Sequence, residues 1–252
     1  MVDALVLAGS RPGPDPIRDA YGVPTKALIP VGGTPMLARV LTSLRAAPEI
    51  ARLIVVSQDP ALLEPLVAEV DAAEQRLSRA SIAATLREIL HDHPAPLLVT
   101  TADNVLLDEA ILTEFLAAAS DVDVAVGVVE QRTFVAAGHS GKRTWLPFRG
   151  GRYSGANLFM LGGPQVLPLV EAWARVEQAR KKSRAVLSLF GLPLLLGALL
   201  RVMTLQGFAR RAAARFGLIA RVVVLSQGHA CIDADTPQDI AAIEALLARL
   251  MP

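Results

Sequence analysis

A lysine and three aspartates, far apart in the chain, are the residues best suited to chemistry: Lys26, Asp103, Asp233 and Asp235. Asp103 stands just past the apolar run at 97–100. Asp233 and Asp235 stand just before a helical pattern near the C-terminus. Carboxylates brought from distant parts of a chain to one sheet rim make a hard oxygen site. Mg²⁺ takes one or two such carboxylates and completes its shell with substrate phosphate and water. Lys26 follows a proline-rich loop that also holds Arg11, Gly13 and Arg18. The loop opens at Gly9, where an apolar run stops. Glycine lets backbone N–H groups approach phosphate oxygens, and lysine and arginine neutralise them. A nucleoside triphosphate needs such a loop. The spacing is not that of a P-loop, G-x-x-x-x-G-K-[ST], nor of a dinucleotide fingerprint, G-x-G-x-x-G.

Each residue also has an ordinary reading. Asp103 suits a turn, and Asp235 could cap a helix. Lys26 is a poor surface lysine, because apolar Ala27, Leu28 and Ile29 follow it directly. Ser81 and Thr85 read as helix-start residues, or as the start of a helix aimed at a nucleotide. Asn157 lies in a strand-like run, where a buried amide needs backbone or ligand partners.

Elements must position these residues. Residues 3–8 read as a buried strand. The prolines at 12, 14, 16 and 24 predict loop over residues 10–25. Thr34-Pro35 predicts a helix cap with proline at the first position. The helix then carries Met36, Leu37, Val40, Leu41 and Leu44 on one face. Residues 53–57 close a βαβ unit. Short helices are predicted at 61–70 and 78–90, and a strong strand at 96–101. A helix at 108–118 and a strand at 122–129 follow. Strands alternating with helices imply a mainly parallel sheet covered on both faces. Ligands of such sheets sit at the carboxyl ends of strands, which places Gly9, Ser57 and Asp103 on one rim.

Beyond residue 130 the pattern changes. Residues 133–141 read as polar loop, and 143–148 and 157–161 as strands. A helix is predicted at 164–182, ending in the basic run 180–184. Residues 185–200 carry no charge. A membrane span needs about 20 residues, and Gly191, Pro193 and Gly197 interrupt this one. A buried or dimer-forming helical hairpin is the preferred expectation. An interfacial segment with a basic flank at 180–201 would suit peripheral membrane contact. The last strand is predicted at 222–225. Thr236 then caps a helix over 237–250, with Pro237 and Asp239 in a capping-box arrangement. That leaves Asp233 and Asp235 without a structural task.

The 252 residues suffice for one α/β domain with a helical, basic and apolar insertion at about 164–220. Hydrophobic residues make up 52% and aromatics only 4%, so Ala, Val, Leu and Ile must build the core. A net charge of +1 gives no case for bulk nucleic-acid binding. The single cysteine, Cys231, excludes a disulfide framework and a cysteine metal cluster. His91-Asp92-His93 precedes Pro94 and reads as solvated loop. The opening strand has no basic leader before it, so a cytoplasmic location is expected.

The segments Leu7-Ala8-Gly9 and Pro24-Thr25-Lys26-Ala27-Leu28-Ile29-Pro30-Val31-Gly32-Gly33-Thr34-Pro35-Met36-Leu37 resemble the signature of nucleotidyltransferases of the MobA-like and sugar-phosphate type. The stretch from Thr100 to Asn104 resembles the family's aspartate motif after the central strand. Ile232-Asp233-Ala234-Asp235-Thr236-Pro237-Gln238-Asp239 resembles its C-terminal D-x-D-T-P-E-D, and Gly155-Ala156-Asn157 the border of its acceptor pocket. The glycine loop departs from the family's G-x-G-x-R, so the loop arginine is Arg11 or Arg18. Thr25 is an insertion.

The resemblance implies a three-layer, Rossmann-like fold of the GT-A type with a mostly parallel sheet. It implies a nucleoside triphosphate donor, CTP or GTP, a phosphorylated small alcohol or sugar as acceptor, and Mg²⁺. It assigns nucleotide binding to Leu7, Ala8, Gly9, Ser10, Arg11, Lys26, Ser81 and Ala102. Catalysis falls to Lys26, Arg11 and Asp103, metal binding to Asp103 and Asp233, and the acceptor border to Gly155 and Asn157. An acceptor phosphate also needs its own cation, for which Arg143 and Lys181 are candidates beside Lys142, Arg180 and Lys182. Two other readings share the fold: a glycosyltransferase using a nucleotide sugar, and a non-catalytic, membrane-associated nucleotide binder.

Overall fold

The computed structural model describes residues 1–9, 13, 15–71, 73–141, 143–178 and 189–250. Ser10, Arg11, Lys142 and the basic run at 180–184, with Lys181, lie outside the described residues. In chain order the strands are β1 (Val2–Leu7), β2 (Pro30–Val31), β3 (Thr34–Pro35), β4 (Ile50–Ser57), β5 (Ala73–Leu77), β6 (Leu97–Thr101), β7 (Val124–Glu130), β8 (Leu146–Phe148), β9 (Gly151–Leu161) and β10 (Ala220–Leu225). The helices are α1 (Pro16–Tyr21), α2 (Met36–Ala46), α3 (Glu64–Val67), α4 (Ile82–Asp92), α5 (Glu109–Ala119), α6 (Gln131–Ala136), α7 (Leu167–Gln178), α8 (Leu192–Leu199), α9 (Leu205–Ala214) and α10 (Pro237–Leu250).

The main sheet has the order β10-β7-β9-β6-β1-β4-β5, and β8 pairs with β9. β1 runs parallel to β4 and β6, β4 to β5, and β7 to β10. β9 is antiparallel to both β6 and β7. The period of two along each strand builds two cores. Ala4, Val6, Leu53 and Val55 face α2 and α5 through Leu41, Leu44, Leu112 and Phe115. Leu5, Ile54 and Val56 face the opposite layer, where Ile89, Leu90 and Val170 pack. The fold is therefore the expected mostly parallel sheet with helices on both faces.

Several local expectations are corrected. Thr34 and Pro35 are not the start of a helix; they pair with Val31 and Pro30 in a hairpin. Gly32 and Gly33, at φ 57° and 77°, make the two-residue turn that only positive φ allows, and α2 begins after it. A helix does form inside the proline loop, because Pro16 takes the first turn of α1 and Asp15 caps it. Residues 73–77 add an edge strand, and residues 131–136 form α6 where loop was expected. His93 is not solvated. It is buried at 6% exposure between Asp3, Arg52 and Arg76, with 2.7 Å from Nδ1 to Arg52. Helix α4 runs on to Asp92 and carries His93 under the sheet edge.

The uncharged stretch is only partly buried. Leu194 and Gly197 of α8 face inward, while Leu192, Leu196, Leu199 and Leu200 are exposed. Among the described residues no helix is long and apolar enough to cross a membrane.

Candidate active site

The parallel strands β1, β4 and β6 bring their carboxyl ends to one rim. A cavity of about 830 Å³ opens there. Leu7, Ala8 and Gly9 from β1, Gln58 after β4, and Thr101, Ala102 and Asp103 at the end of β6 line it, with Lys26. Ser57 instead lines a smaller neighbouring cavity of about 340 Å³ with Arg18 and Thr25. The two cavities share Ala8 and Gln58, so Arg18 stands one compartment away from Lys26.

Lys26 opens a short 3-10 turn, Lys26–Leu28. Buried Ala27 and Ile29 anchor that turn, and Ile29 O accepts the N–H of Met36 at 3.0 Å. The apolar residues after the lysine thus fix its base against the core. Its ammonium bridges two acids from distant parts of the chain. Nζ lies 2.7 Å from Asp103 Oδ2 and 2.6 Å from Asp235 Oδ1. Asp103 is itself oriented: Thr101 Oγ1 donates to its other oxygen at 2.5 Å. Its carbonyl accepts the N–H of Ala234 at 3.1 Å, which docks the C-terminal segment on the end of β6.

The second acidic pair is split by its surroundings. Asp233 binds Arg143, which also reaches Asp239 at 3.0 Å. Asp239 N–H donates to Thr236 Oγ1 at 3.1 Å, so Thr236 caps α10 as its sequence suggests. The Thr236 hydroxyl donates in turn to Asp239 Oδ2 at 2.7 Å. Burial, then the charge of Asp235, raises the Asp233 carboxyl above its ordinary range, although Arg143 opposes this. Burial acts the same way on Asp235, but the hydrogen bond and charge of Lys26 outweigh it and hold that carboxyl low. Burial would lower Lys26; Asp103 and Asp235 outweigh it and raise its pKa.

The two members of the expected metal pair, Asp103 and Asp233, have different ion-pair partners. Asp235, not Asp233, shares Lys26 with Asp103, while Asp233 faces Arg143. Arg143 is thus paired with Asp233 and Asp239. Among the described residues no three of His, Cys, Asp and Glu gather into a preformed metal cluster. The donor set still suits Mg²⁺, because Asp103 and Asp235 are hard oxygen donors directed at one point, now held by an ammonium. Cys231 offers no nucleophile: burial pushes its thiol up to about 11.

Ser81 caps α4, accepting the N–H of Ala84 at 3.1 Å, and lines the cavity with Thr85. Gly155 and Asn157 lie on β9. Asn157 has φ 49°, next to the register shift of β9 against β7. Asn104 is a buried residue whose role the sequence did not disclose. Its amide donates to Thr100 Oγ1 at 3.2 Å and to Ala156 O at 3.1 Å, tying β9 to the aspartate turn. The sequence predicts the helix that becomes α7, but not its place beside the site. Trp173, Val176 and Glu177 form the far wall of the cavity.

A cavity at the carboxyl ends of parallel strands, lined by Lys26 and Asp103, stands where open α/β folds take their ligands. Residues 4–214 match the family model of the MobA-like NTP transferase domain, and the chain belongs to that family of nucleotidyltransferases. None of the curated proteins matches it. Among solved structures, it is similar to a hypothetical transferase from Thermus thermophilus at 27% identity and a TM-score of 0.79, covering 95% of this chain and 100% of that one. The fold is shared with 4-diphosphocytidyl-2C-methyl-D-erythritol synthase from Anaerococcus prevotii DSM 20548, at 13% identity and TM-score 0.63 over 98% and 96% of the two chains. It is also shared with a CMP:2-keto-3-deoxy-manno-octonic acid synthetase complexed with CTP, at 15% identity and TM-score 0.60 over 99% and 100%.

Proposed function

We propose that the protein transfers a nucleoside monophosphate from an NTP, CTP or GTP, to a phosphorylated small alcohol or sugar and releases pyrophosphate. The observation that carries this is the convergence of Lys26 on Asp103 and Asp235 at the cavity floor. An acceptor phosphate oxygen attacks the α-phosphorus in line, and the bond from that phosphorus to the bridging oxygen of pyrophosphate breaks. Lys26 holds the triphosphate and stabilises the charge gathering on the departing pyrophosphate. Arg11 or Arg18 assists from the glycine loop. The backbone at Leu7, Ala8, Gly9 and Ala102 lines the nucleotide's path, Ser10 contributes to nucleotide binding, and Ser81 lies at the base end. The acceptor lies toward Gly155 and Asn157, with Arg143 and Lys181 as candidate cations. An acceptor phosphate is already ionised at pH 7, so no general base is needed. Asp103 with Asp233 or Asp235 would hold Mg²⁺, which supplies charge neutralisation at the phosphates. The test incubates the protein with each NTP, Mg²⁺ and a panel of phosphorylated acceptors. Pyrophosphate is expected with one pair, and its absence with every pair would refute the reading.

We place the enzyme in the cytoplasm, in peripheral contact with anionic membrane. Supporting this is the exposed row Leu192, Leu196, Leu199, Leu200 and Val202, with Leu199 at 76% exposure, beside Arg201. Apolar side chains flanked by arginine suit an anionic lipid surface. The protein is expected to float with anionic liposomes at low salt and less so at high salt. No flotation at either would remove the membrane contact. Sedimentation as a dimer would assign the row to a second copy.

A further inference from the structure

The cavity has two unlike ends. Lys26 and Asp103 mark the phosphate end. The opposite end is closed by α7, a helix outside the motifs that define the nucleotide loop. Glu177 on α7 reaches across to the start of α4. Its carboxylate accepts the N–H of Ile82 at 3.2 Å and of Ala83 at 3.3 Å. One turn earlier, Trp173 lines the same wall and leaves 48% of its surface exposed.

Three polar side chains beside it, those of Thr85, Ser81 and Arg79, are already engaged. Thr85 Oγ1 accepts from Arg79 N–H at 2.9 Å and donates to Ser81 O at 3.0 Å. Ser81 Oγ accepts from Ala84 N–H. Arg79 lines the cavity, but its guanidinium is tied to Glu88, with Nη2 at 2.7 Å from Oε1. The first two N–H groups of α4, which could have donated to a ligand, are covered by Glu177. The base end therefore presents a fixed carboxylate beside an indole face. A carboxylate is acceptor-only, with about four lone-pair sites on its two oxygens. Two of these take the backbone N–H groups, and the others need donors.

We propose that Glu177 selects the base, favouring guanine over cytosine, with Trp173 as the stacking surface. This rests on the nucleotide reading given above. Guanine offers two adjacent donors, N1–H and the N2 amino group, to one carboxylate. Cytosine offers one amino group beside acceptors N3 and O2, which a carboxylate repels. Uracil flanks its single N–H with two carbonyls, and adenine sets its amino group beside the N1 acceptor. A purine also covers more of an indole than a pyrimidine does.

Calorimetric titration with GTP, ITP and CTP, each with Mg²⁺, tests this. ITP keeps N1–H and lacks only the N2 amino group. The unmodified protein should bind GTP about tenfold more tightly than ITP or CTP, the scale of one paired hydrogen-bond contact. Glu177→Gln should lose about tenfold for GTP and bring GTP and ITP level, while CTP, relieved of the carboxylate, should bind no more weakly than before. The comparison of GTP with ITP needs no variant, so it stands even where Glu177→Gln folds poorly. Equal binding of GTP and ITP, tighter binding of CTP, or an equal loss of all three nucleotides in Glu177→Gln would overturn the assignment of Glu177. Failure of every nucleotide to bind would instead overturn the nucleotidyltransferase reading, and this inference with it.

Discussion

Lys26→Met is expected to slow pyrophosphate release by about 10³-fold, since a preorganised cation aimed at developing charge contributes on that scale. Methionine keeps the length and the apolar stem while removing the charge. The effect should fall on turnover more than on KM, because charge on the pyrophosphate grows during bond breaking. Steady-state release measured for variant and parent decides it, and activity within tenfold would remove Lys26 from the chemistry. The same variant has a stability signature. Lys26 has a raised pKa, so its contribution is complete below its ordinary 10.5 and is lost as pH rises through the raised value. Asp235 has a lowered pKa, so its contribution is present above its ordinary 3.8 and is lost as pH falls through the lowered value. The melting temperature of Lys26→Met should therefore trail the parent most between these limits. The gap should narrow toward either extreme. A gap that stays constant with pH would mean the loss is one of packing.

Asp103→Asn is expected to cost at least about 10³-fold in turnover while the protein stays folded. Asparagine can still accept the hydroxyl of Thr101, and the carbonyl that holds Ala234 belongs to the backbone. What disappears is the negative charge facing Lys26 and any metal. The contacts near Ser81 and Trp173 lie at the other end of the cavity, so nucleotide affinity should change by less than about tenfold. Turnover, nucleotide titration and a melting curve on one preparation separate the three quantities. Retained turnover would sink the role of Asp103.

What the sequence disclosed followed from local rules. Strands β1 and β6 are short apolar runs bounded by turn residues, and α10 has both a cap and a clean apolar face. Those features depend on neighbours a few residues apart. The hairpin at Gly32 and Gly33 was missed because proline after threonine also suits a helix start, and only the positive φ of both glycines separates the two. The small helix α1 was missed because proline was read as a breaker, although it is tolerated in the first turn. The site was legible as a set of residues but not as a set of pairs. Asp233 and Asp235 differ by two positions and stand in equivalent sequence surroundings. Their division between Arg143 and Lys26 depends on contacts across 90 and 209 residues. Glu177 was invisible for the same reason, since its partners Ile82 and Ala83 lie 95 and 94 residues away.

The bridge between Lys26 and Asp235 has a consequence for synthesis. Its two ends are 209 residues apart, and the second lies just before the last helix. A ribosome has therefore delivered nearly the whole sheet before the ammonium meets its second acid. Until then Lys26 and Asp103 can meet, but the C-terminal segment that docks on Asp103 is still missing. Synthesis thus supplies the scaffold before the last member of the reactive centre. A chain cut before Asp235 would keep every strand and lose the second acid on Lys26, so the electrostatic closure of the pocket depends on a segment outside the sheet.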